Sequence, residues 1–478
     1  MRFAGFIGPS YTLQSVNYDA QRCVNLFPQI NEIGTGKERE VASFVMTPGL
    51  TLKATLGDGP IRGTHRGSNG VLYAVSDDKI YSLDSSFVST ELGTLNSVSG
   101  QVSFADNGTT LAIVDGADGY GVTMSTGAFA EFGDPDFRPS DTVTFQDGYF
   151  IFNEANSGRF FISQLNSISF DALDFASAEG NPDELIAVLS DHRDLWLFGT
   201  KSTEVFFNSG NVDFPFERIQ GAFVEHGCAA PFSVAKLNND VFWLGQDDQG
   251  RGIVYRAAGY QPQRISTHAV EIAISGYADV SDAVAYTYQQ NGHNFYVLNF
   301  TDANTTWVFD TSTNLWHERA FTNEGQFERH RANSHAFAYN QHIVGDYANG
   351  KIYSLDSEAL SDAGEEITRQ RVAPHIAEGM KRLFYNSFQL DLEVGVGLDG
   401  LSTVQGHDPQ AMLDFSDDGG HTWSSEHWAS FGKIGNRLRR CIWRKLGVSR
   451  DRIFRVTITD PVKIAIIGAQ LDISGGAS

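Results

Sequence analysis

Three stretches carry residue types at spacings that could do chemistry. Ser416-Asp417-Asp418-Gly419-Gly420-His421-Thr422-Trp423 follows the pattern S-x-D-x-G-x-T-W, the Asp box. In such a turn Asp418 accepts backbone N–H groups, Gly420 permits positive φ, and Trp423 anchors the hairpin beneath it. Sialidases repeat the box in several blades, away from the reacting atoms, and add an arginine cluster for the substrate carboxylate. Here the box occurs once, so Ser416, Asp418, Gly420 and Trp423 are read as a structural turn. Gly395-Val396-Gly397-Leu398-Asp399-Gly400 is a literal G-x-G-x-x-G. A dinucleotide fingerprint needs a helix next, whose N-terminus holds the pyrophosphate. The residues from 401 to 409 contain Gly406, Asp408 and Pro409 and do not start one. Gly345 to Gly350-Lys351 has phosphate-loop spacing, but Ile352 stands where Ser or Thr is required, and the lysine enters a strand.

The remaining inventory nominates no nucleophile, metal or cofactor. Thirteen histidines are scattered. No H-E-x-x-H, paired C-x-x-C, EF-hand loop or G-x-S-x-G elbow is present. One further cluster stands out by charge. Between Arg437 and Arg455 lie Arg437, Arg439, Arg440, Arg444, Lys445, Arg450, Arg452 and Arg455, opposed only by Asp451. Such a run is either a docking face for an acidic partner, a phosphate contact, or an ordinary solvated strand face. The candidate docking residues are Arg437, Arg439, Arg440, Arg444 and Lys445.

The elements that must position these residues are short strands. Lys79-Ile80-Tyr81-Ser82-Leu83-Asp84 recurs as Lys351-Ile352-Tyr353-Ser354-Leu355-Asp356, 272 positions later. Six units of about 45 residues, a propeller-blade period, would fill that interval. Seven strand–turn–strand units do centre near Tyr73, Leu111, Phe150, Trp196, Trp243, Tyr296 and Ile343. A lone hairpin cannot bury its apolar face, whereas a ring of hairpins can. The fold class is therefore all-β: a six- or seven-bladed β-propeller over 60–364, with a set of sandwiches as the competing architecture. A smaller C-terminal β-sandwich-like domain over 365–478 would serve as a platform for docking. The segment 1–59 is expected to pack on that domain and complete it. Glu366 to Val372 reads as an extended connector ahead of Pro374. Strands are expected at Phe388–Val394, Met412–Phe415, Leu438–Trp443, Ile453–Ile458 and Ile464–Ile467. No stretch combines 3.6-residue periodicity with caps, so no long helix is expected.

Composition sets outer bounds. With 478 residues the chain can bury a large core without staples. Cys23, Cys228 and Cys441 are odd in number and far apart, which argues against a disulfide framework and suits folding in a reducing compartment. The first residues lack signal-peptide regions, and no 18-residue apolar run suggests a membrane span. A formal charge of −23 disfavours general binding to DNA or anionic membranes.

Two groups of residues resemble one family. At the N-terminus they are Val24-Asn25-Leu26-Phe27-Pro28, Thr47-Pro48-Gly49-Leu50, Pro60-Ile61-Arg62-Gly63 and the Leu72-Tyr73 hairpin ending in Lys79-Ile80-Tyr81. At the C-terminus they are Phe388 to Val394, the Asp-Gly-Gly turn at 417–420, Arg439 to Gly447, Ile453 to Ile458 and Ile464 to Ile473. Their order and spacing are similar to those of podovirus tail nozzle proteins, also called packaged DNA stabilisation proteins or tail accessory factors. The resemblance implies a virion component of the tail, assembled in the host cytoplasm, with no catalytic residue and no cofactor. It implies a homo-hexameric tube below the portal–adaptor ring that retains packaged DNA, conducts it at ejection without sequence-specific contacts, and adjoins tail needle or tailspike proteins. An acidic lumen would limit phosphate friction in such a tube.

Two other classes compete with the nozzle. One is a propeller-type glycan-binding or glycan-cleaving phage tail protein, raised by the Asp box and the aromatic content. The other is a propeller binding module with no virion role.

Overall fold

The computed structural model describes residues 1–31, 42–178, 180, 182–246, 250–379, 381–400 and 402–476. Seven antiparallel strand sets succeed one another along the chain, the first six built from strands in sequence order and the seventh completed by a strand from the N-terminal segment. They are the blades of one propeller. The second strands of blades 1 to 7 are Leu72–Ser76, Thr110–Val114, Tyr149–Asn153, Asp194–Gly199, Asp240–Gln246, His293–Phe300 and Gln341–Asp346. Each contains the residue on which the sequence rhythm centres. These strands are buried almost throughout because each is covered by a blade on either side. Phe150, Phe152 and Phe161 pack against Ala112 and Val114 of the previous blade, while Ile151 and Phe160 meet Leu195 and Leu197 of the next.

The ring closes with a strand from the start of the chain. Gly49–Thr55 pairs with Lys351–Asp356 in the register Leu50↔Leu355 and supplies the outermost strand of blade 7. The segment 1–59, expected to pack on the C-terminal domain, thus also gives a strand to the propeller. Closure also accounts for the repeated hexapeptide. Lys79–Leu83 and Lys351–Asp356 are the third strands of blades 1 and 7, which adjoin in the ring. Leu72, Leu83, Ile343 and Ile352 share one apolar cluster between them. Each such fully buried aliphatic side chain contributes about 1.5–3 kcal/mol.

The C-terminal unit is a sandwich of two sheets. One orders Leu26–Ile30, Ala42–Met46, Ala465–Gly475, Leu383–Leu392 and Cys441–Arg444. The other orders Ala20–Val24, Arg369–Val372, Asp451–Ile458, Gln410–Ser416 and His427–Ser430. Between them lie Phe6, Phe44, Phe388, Leu413, Phe454 and Val456. N-terminal strands therefore enter both sheets. The second sheet continues blade 6, because Val24 bridges Glu318 on the outermost strand of that blade. Five added strands at about 4.8 Å spacing carry this sheet roughly 24 Å beyond the propeller rim.

Two expectations need correction. The stretch 366–372, read as a connector, contains the strand Arg369–Val372, whose four residues are all buried. Arg371 is tolerated there because its guanidinium donates to the carbonyls of Gly5, Phe6, Gly8 and Pro9 and to Gln21 Oε1. Residues 438–440, read as part of a strand, are an exposed loop, and pairing begins only at Cys441. Among the described residues one short α-helix is present, His268–Ser275, capped by Thr267 Oγ1, which accepts from Val270 N.

Candidate docking surface

The basic run divides into two parts with different roles. Arg452 is 2% exposed. Its Nε and Nη2 donate to Asp417 Oδ1 at 2.6 Å and Oδ2 at 2.7 Å, and its guanidinium lies 3.8 Å from the centroid of the Phe415 ring. Arg455 pairs with Asp414 and lies 4.1 Å over the Trp423 ring. These two side chains are internal braces, matched to carboxylates on the neighbouring strand and turn.

Arg437, Arg439, Arg440, Arg444 and Lys445 are exposed. Among the described residues none of the five forms an ion pair with a carboxylate. Arg439 donates to the carbonyl of Ser430 at 3.3 Å, and Arg440 donates from Nε to Gln389 Oε1 at 2.9 Å. Both are tethered at the stem with their charge unneutralised. Arg444 ends the strand Cys441–Arg444, whose alternation buries Cys441 and Trp443 and turns Arg444 outward. Burial pushes the Cys441 thiol up to about 12, so it stays a neutral packing group.

Apolar side chains, unremarked by the charge pattern, stand among these cations. Leu438, between Arg437 and Arg439, is 95% exposed. Ile434 on the same loop and Trp428 on the strand His427–Ser430 are also exposed. The loop is tied to that strand by the Arg439–Ser430 bond and follows the sheet edge farthest from the propeller. Trp443 Nε1 donates to the carbonyl of His427 at 2.7 Å, which covers one of the edge carbonyls. Exposed apolar groups ringed by arginine are the composition of a protein-binding patch. The signal for them in the sequence is Arg-Leu-Arg after a glycine turn.

The Asp box forms the turn its pattern implies. Ser416 Oγ accepts from Gly420 N at 2.8 Å, and Asp418 accepts from Thr422 N at 2.9 Å and Thr422 Oγ1 at 2.6 Å. Those bonds from Thr422 hold the Asp418 carboxyl well below the usual carboxylate range. The box lies in the sandwich, with Gly419 against Asn17 of the 14–18 loop, and it meets the strand Asp451–Ile458 through Arg452 on Asp417 and Arg455 over Trp423.

The propeller encloses a central passage of about 520 Å³. It is lined by the inner strands, with Thr64, Ser103, Thr144, Ser190, Thr287 and Asn333 among the side chains. Asp106 is the one carboxylate among the described lining residues, and it is held by His65 Nε2 at 2.9 Å and by Ser68. Among the described residues no group of three or more His, Cys, Asp or Glu side chains is placed to hold a metal ion. No helix among them is long and apolar enough to cross a membrane.

A comparison with curated proteins gave no match. Among solved structures the chain is similar to the WD40 β-propeller domain of Doa1, at 14% identity over 64% of this chain and 98% of that one, with a TM-score of 0.41. It is also similar to the extracellular domain of the putative hybrid two-component system BT4673 from B. thetaiotaomicron, at 11% identity over 82% of this chain and 48% of that one, with a TM-score of 0.45. These likenesses are too distant to bear on function. The family comparison is of a different order. The model described as Bacteriophage P22 Gp10, β-propeller, matches residues 6–360, and the model described as Bacteriophage P22 Gp10, β-sandwich, matches residues 368–474. With both units matched in order, the chain belongs to the Bacteriophage P22 Gp10 family of phage DNA-stabilisation tail proteins.

Proposed function

We propose that this protein is the tail nozzle of a podovirus, a structural part that closes the portal–adaptor channel, retains packaged DNA and becomes its conduit at ejection. The observation that carries the reading is the family match across both propeller and sandwich. Copies form a homo-hexameric ring, and a tail needle or tailspikes attach nearby. The protein acts in the virion tail after assembly in the host cytoplasm, and it needs neither catalytic residue nor cofactor. The segment 365–478 serves as the platform, and Arg437, Arg439, Arg440, Arg444 and Lys445 form its docking face toward the adaptor or a neighbouring subunit.

Two physical features support the reading. The passage through one propeller has the volume of a small-molecule site, so duplex DNA runs beside the propellers of several copies and not through one of them. The net charge of −23 keeps such a conduit from gripping phosphate.

The test is to add purified protein to DNA-filled heads that lack tails, image the portal vertex and follow DNA leakage. A ring of density with slowed leakage is the expected result. No density with full leakage would overturn the nozzle and favour the glycan-acting alternative, which a bacterial polysaccharide screen would then examine.

A further inference from the structure

The docking loop and one rim of the propeller are complementary in both charge and shape of composition. On the outermost strand of blade 3, Phe170–Ser177, the side chains of Asp171 and Leu173 are exposed, and that of Leu173 is 80% exposed. Asp174 follows and is half-buried. Gln164 Nε2 donates to Asp174 Oδ2 at 2.6 Å, and Leu173 N donates to Asp171 Oδ1 at 2.9 Å. Among the described residues neither carboxylate has a cationic partner. An exposed leucine between unneutralised carboxylates therefore stands on the rim. The loop carries the mirror arrangement, Leu438 between the unneutralised Arg437 and Arg439.

The two patches also lie at opposite ends of the molecule. The sandwich extends from blade 6, and the loop follows its farthest strand. In a ring of seven, blade 3 lies across from blade 6. The two patches are thus too far apart to meet within one chain. Contact between different patches on successive copies is heterologous, and it closes into a ring when the rotation per copy permits.

We propose that the Arg437–Leu438–Arg439 loop of one copy seats on the Asp171–Leu173–Asp174 rim of the next copy. The two leucines supply the desolvated centre, and the arginine–aspartate pairs fix register and exclude wrong partners. This deepens the nozzle reading and rests on it, by assigning the docking loop to a second copy of this chain. Arg440, Arg444 and Lys445, on the adjoining sheet face, are left for the adaptor.

The test uses two charge-reversed full-length variants assembled on tailless, DNA-filled heads. One carries Arg437→Glu and Arg439→Glu, the other Asp171→Lys and Asp174→Lys. Each alone opposes like charges at every junction, so the ring is expected to weaken at least tenfold in the concentration needed. An equimolar mixture restores opposite charges at every junction of an alternating ring, and its assembly should return to the native level. A third variant, Leu438→Cys with Leu173→Cys, should link copies under oxidation, since the three native cysteines are buried. Native assembly by either charge variant alone, failure of the mixture, or absence of the cross-link would overturn the assignment while leaving the nozzle reading intact. Failure of the native protein to bind heads would overturn both.

Discussion

Asn25 and Ala320 exchange two hydrogen bonds across the junction of the two units. Asn25 Nδ2 donates to the Ala320 carbonyl at 2.9 Å, and Ala320 N donates to Asn25 Oδ1 at 2.9 Å. The same Nδ2 donates to the Thr368 carbonyl at 2.9 Å, so one amide joins the blade 6 rim to the residue that leads into the sandwich strand Arg369–Val372. Asn25 holds φ at 55°, a left-handed conformation asparagine tolerates better than most residues. Ser10 Oγ and Arg22 both donate to the Glu318 carboxylate beside it. The propeller and sandwich are therefore coupled by a buried polar network as well as by a shared sheet.

Replacing Asn25 by alanine should cost about 2–4 kcal/mol, because buried backbone groups lose their partners and alanine is strained at positive φ. Asn25→Gly should recover only the strain. Scanning calorimetry of the two variants checks this: equal melting temperatures for both and for the native protein would refute the junction role.

The two halves of the basic run should respond oppositely to substitution. Arg452→Ala removes a buried guanidinium that packs on Phe415 and donates to the Leu446 carbonyl, and should cost about 1–3 kcal/mol, while the exposed Asp417 is left to water. Reversing Arg439, Arg440 and Arg444 to glutamate should shift stability by roughly 0.5 kcal/mol or less at these surface positions. It should nonetheless abolish docking to tailless heads. Urea unfolding and head-binding assays on the same preparations separate the two effects.

Acid should destabilise the propeller through His317. Burial pushes this imidazole down to about 3, and its ring packs between Phe27 and Phe295 near His293, Asp310 and Arg319. The unfolded histidine takes its proton near pH 6.5, so the stability it contributes is full above that pH and is lost as pH falls toward 3. His317→Phe should flatten the acid limb of a stability–pH profile and leave neutral stability nearly unchanged. Burial raises the carboxyl of Asp362 to about 6, with the opposite sign. Its contribution is full below pH 3.8 and is lost as pH rises through 6, and Asp362→Asn should remove that slope.

Gly419 and Gly435 offer a matched pair. Both have positive φ, 75° and 78°. A Cβ on Gly419 would overlap Asn17 of the 14–18 loop, whereas nothing lies within 4 Å of one on Gly435. Gly419→Ala should therefore lower the melting temperature by several degrees more than Gly435→Ala, and equal losses would show that the Asp-box turn does not support the N-terminal loop.

The blade rhythm was legible in the sequence, though not whether it makes six blades or seven, because a propeller repeats one local solution. Tyr73, Leu111, Phe150, Trp196, Trp243, Tyr296 and Ile343 each sit in a short apolar run between turn residues, and each run is the second strand of a blade. The Asp-box turn was legible for the same reason, since Ser416, Asp418 and Thr422 bond within seven residues. Ring closure was not, because Gly49–Thr55 and Lys351–Asp356 meet only when the intervening chain has gone once around. The strand Arg369–Val372 looked like a connector because a buried guanidinium is acceptable only once the N-terminal carbonyls that satisfy Arg371 have arrived. The basic run shows the same divide within one stretch. Sequence determined that eight cations lie between residues 437 and 455. Only tertiary structure decided that Arg452 is buried against Asp417 and that Arg455 meets the buried Asp414, while Arg437, Arg439, Arg440, Arg444 and Lys445 face water, because burial of a charge depends on a partner brought from elsewhere in the chain.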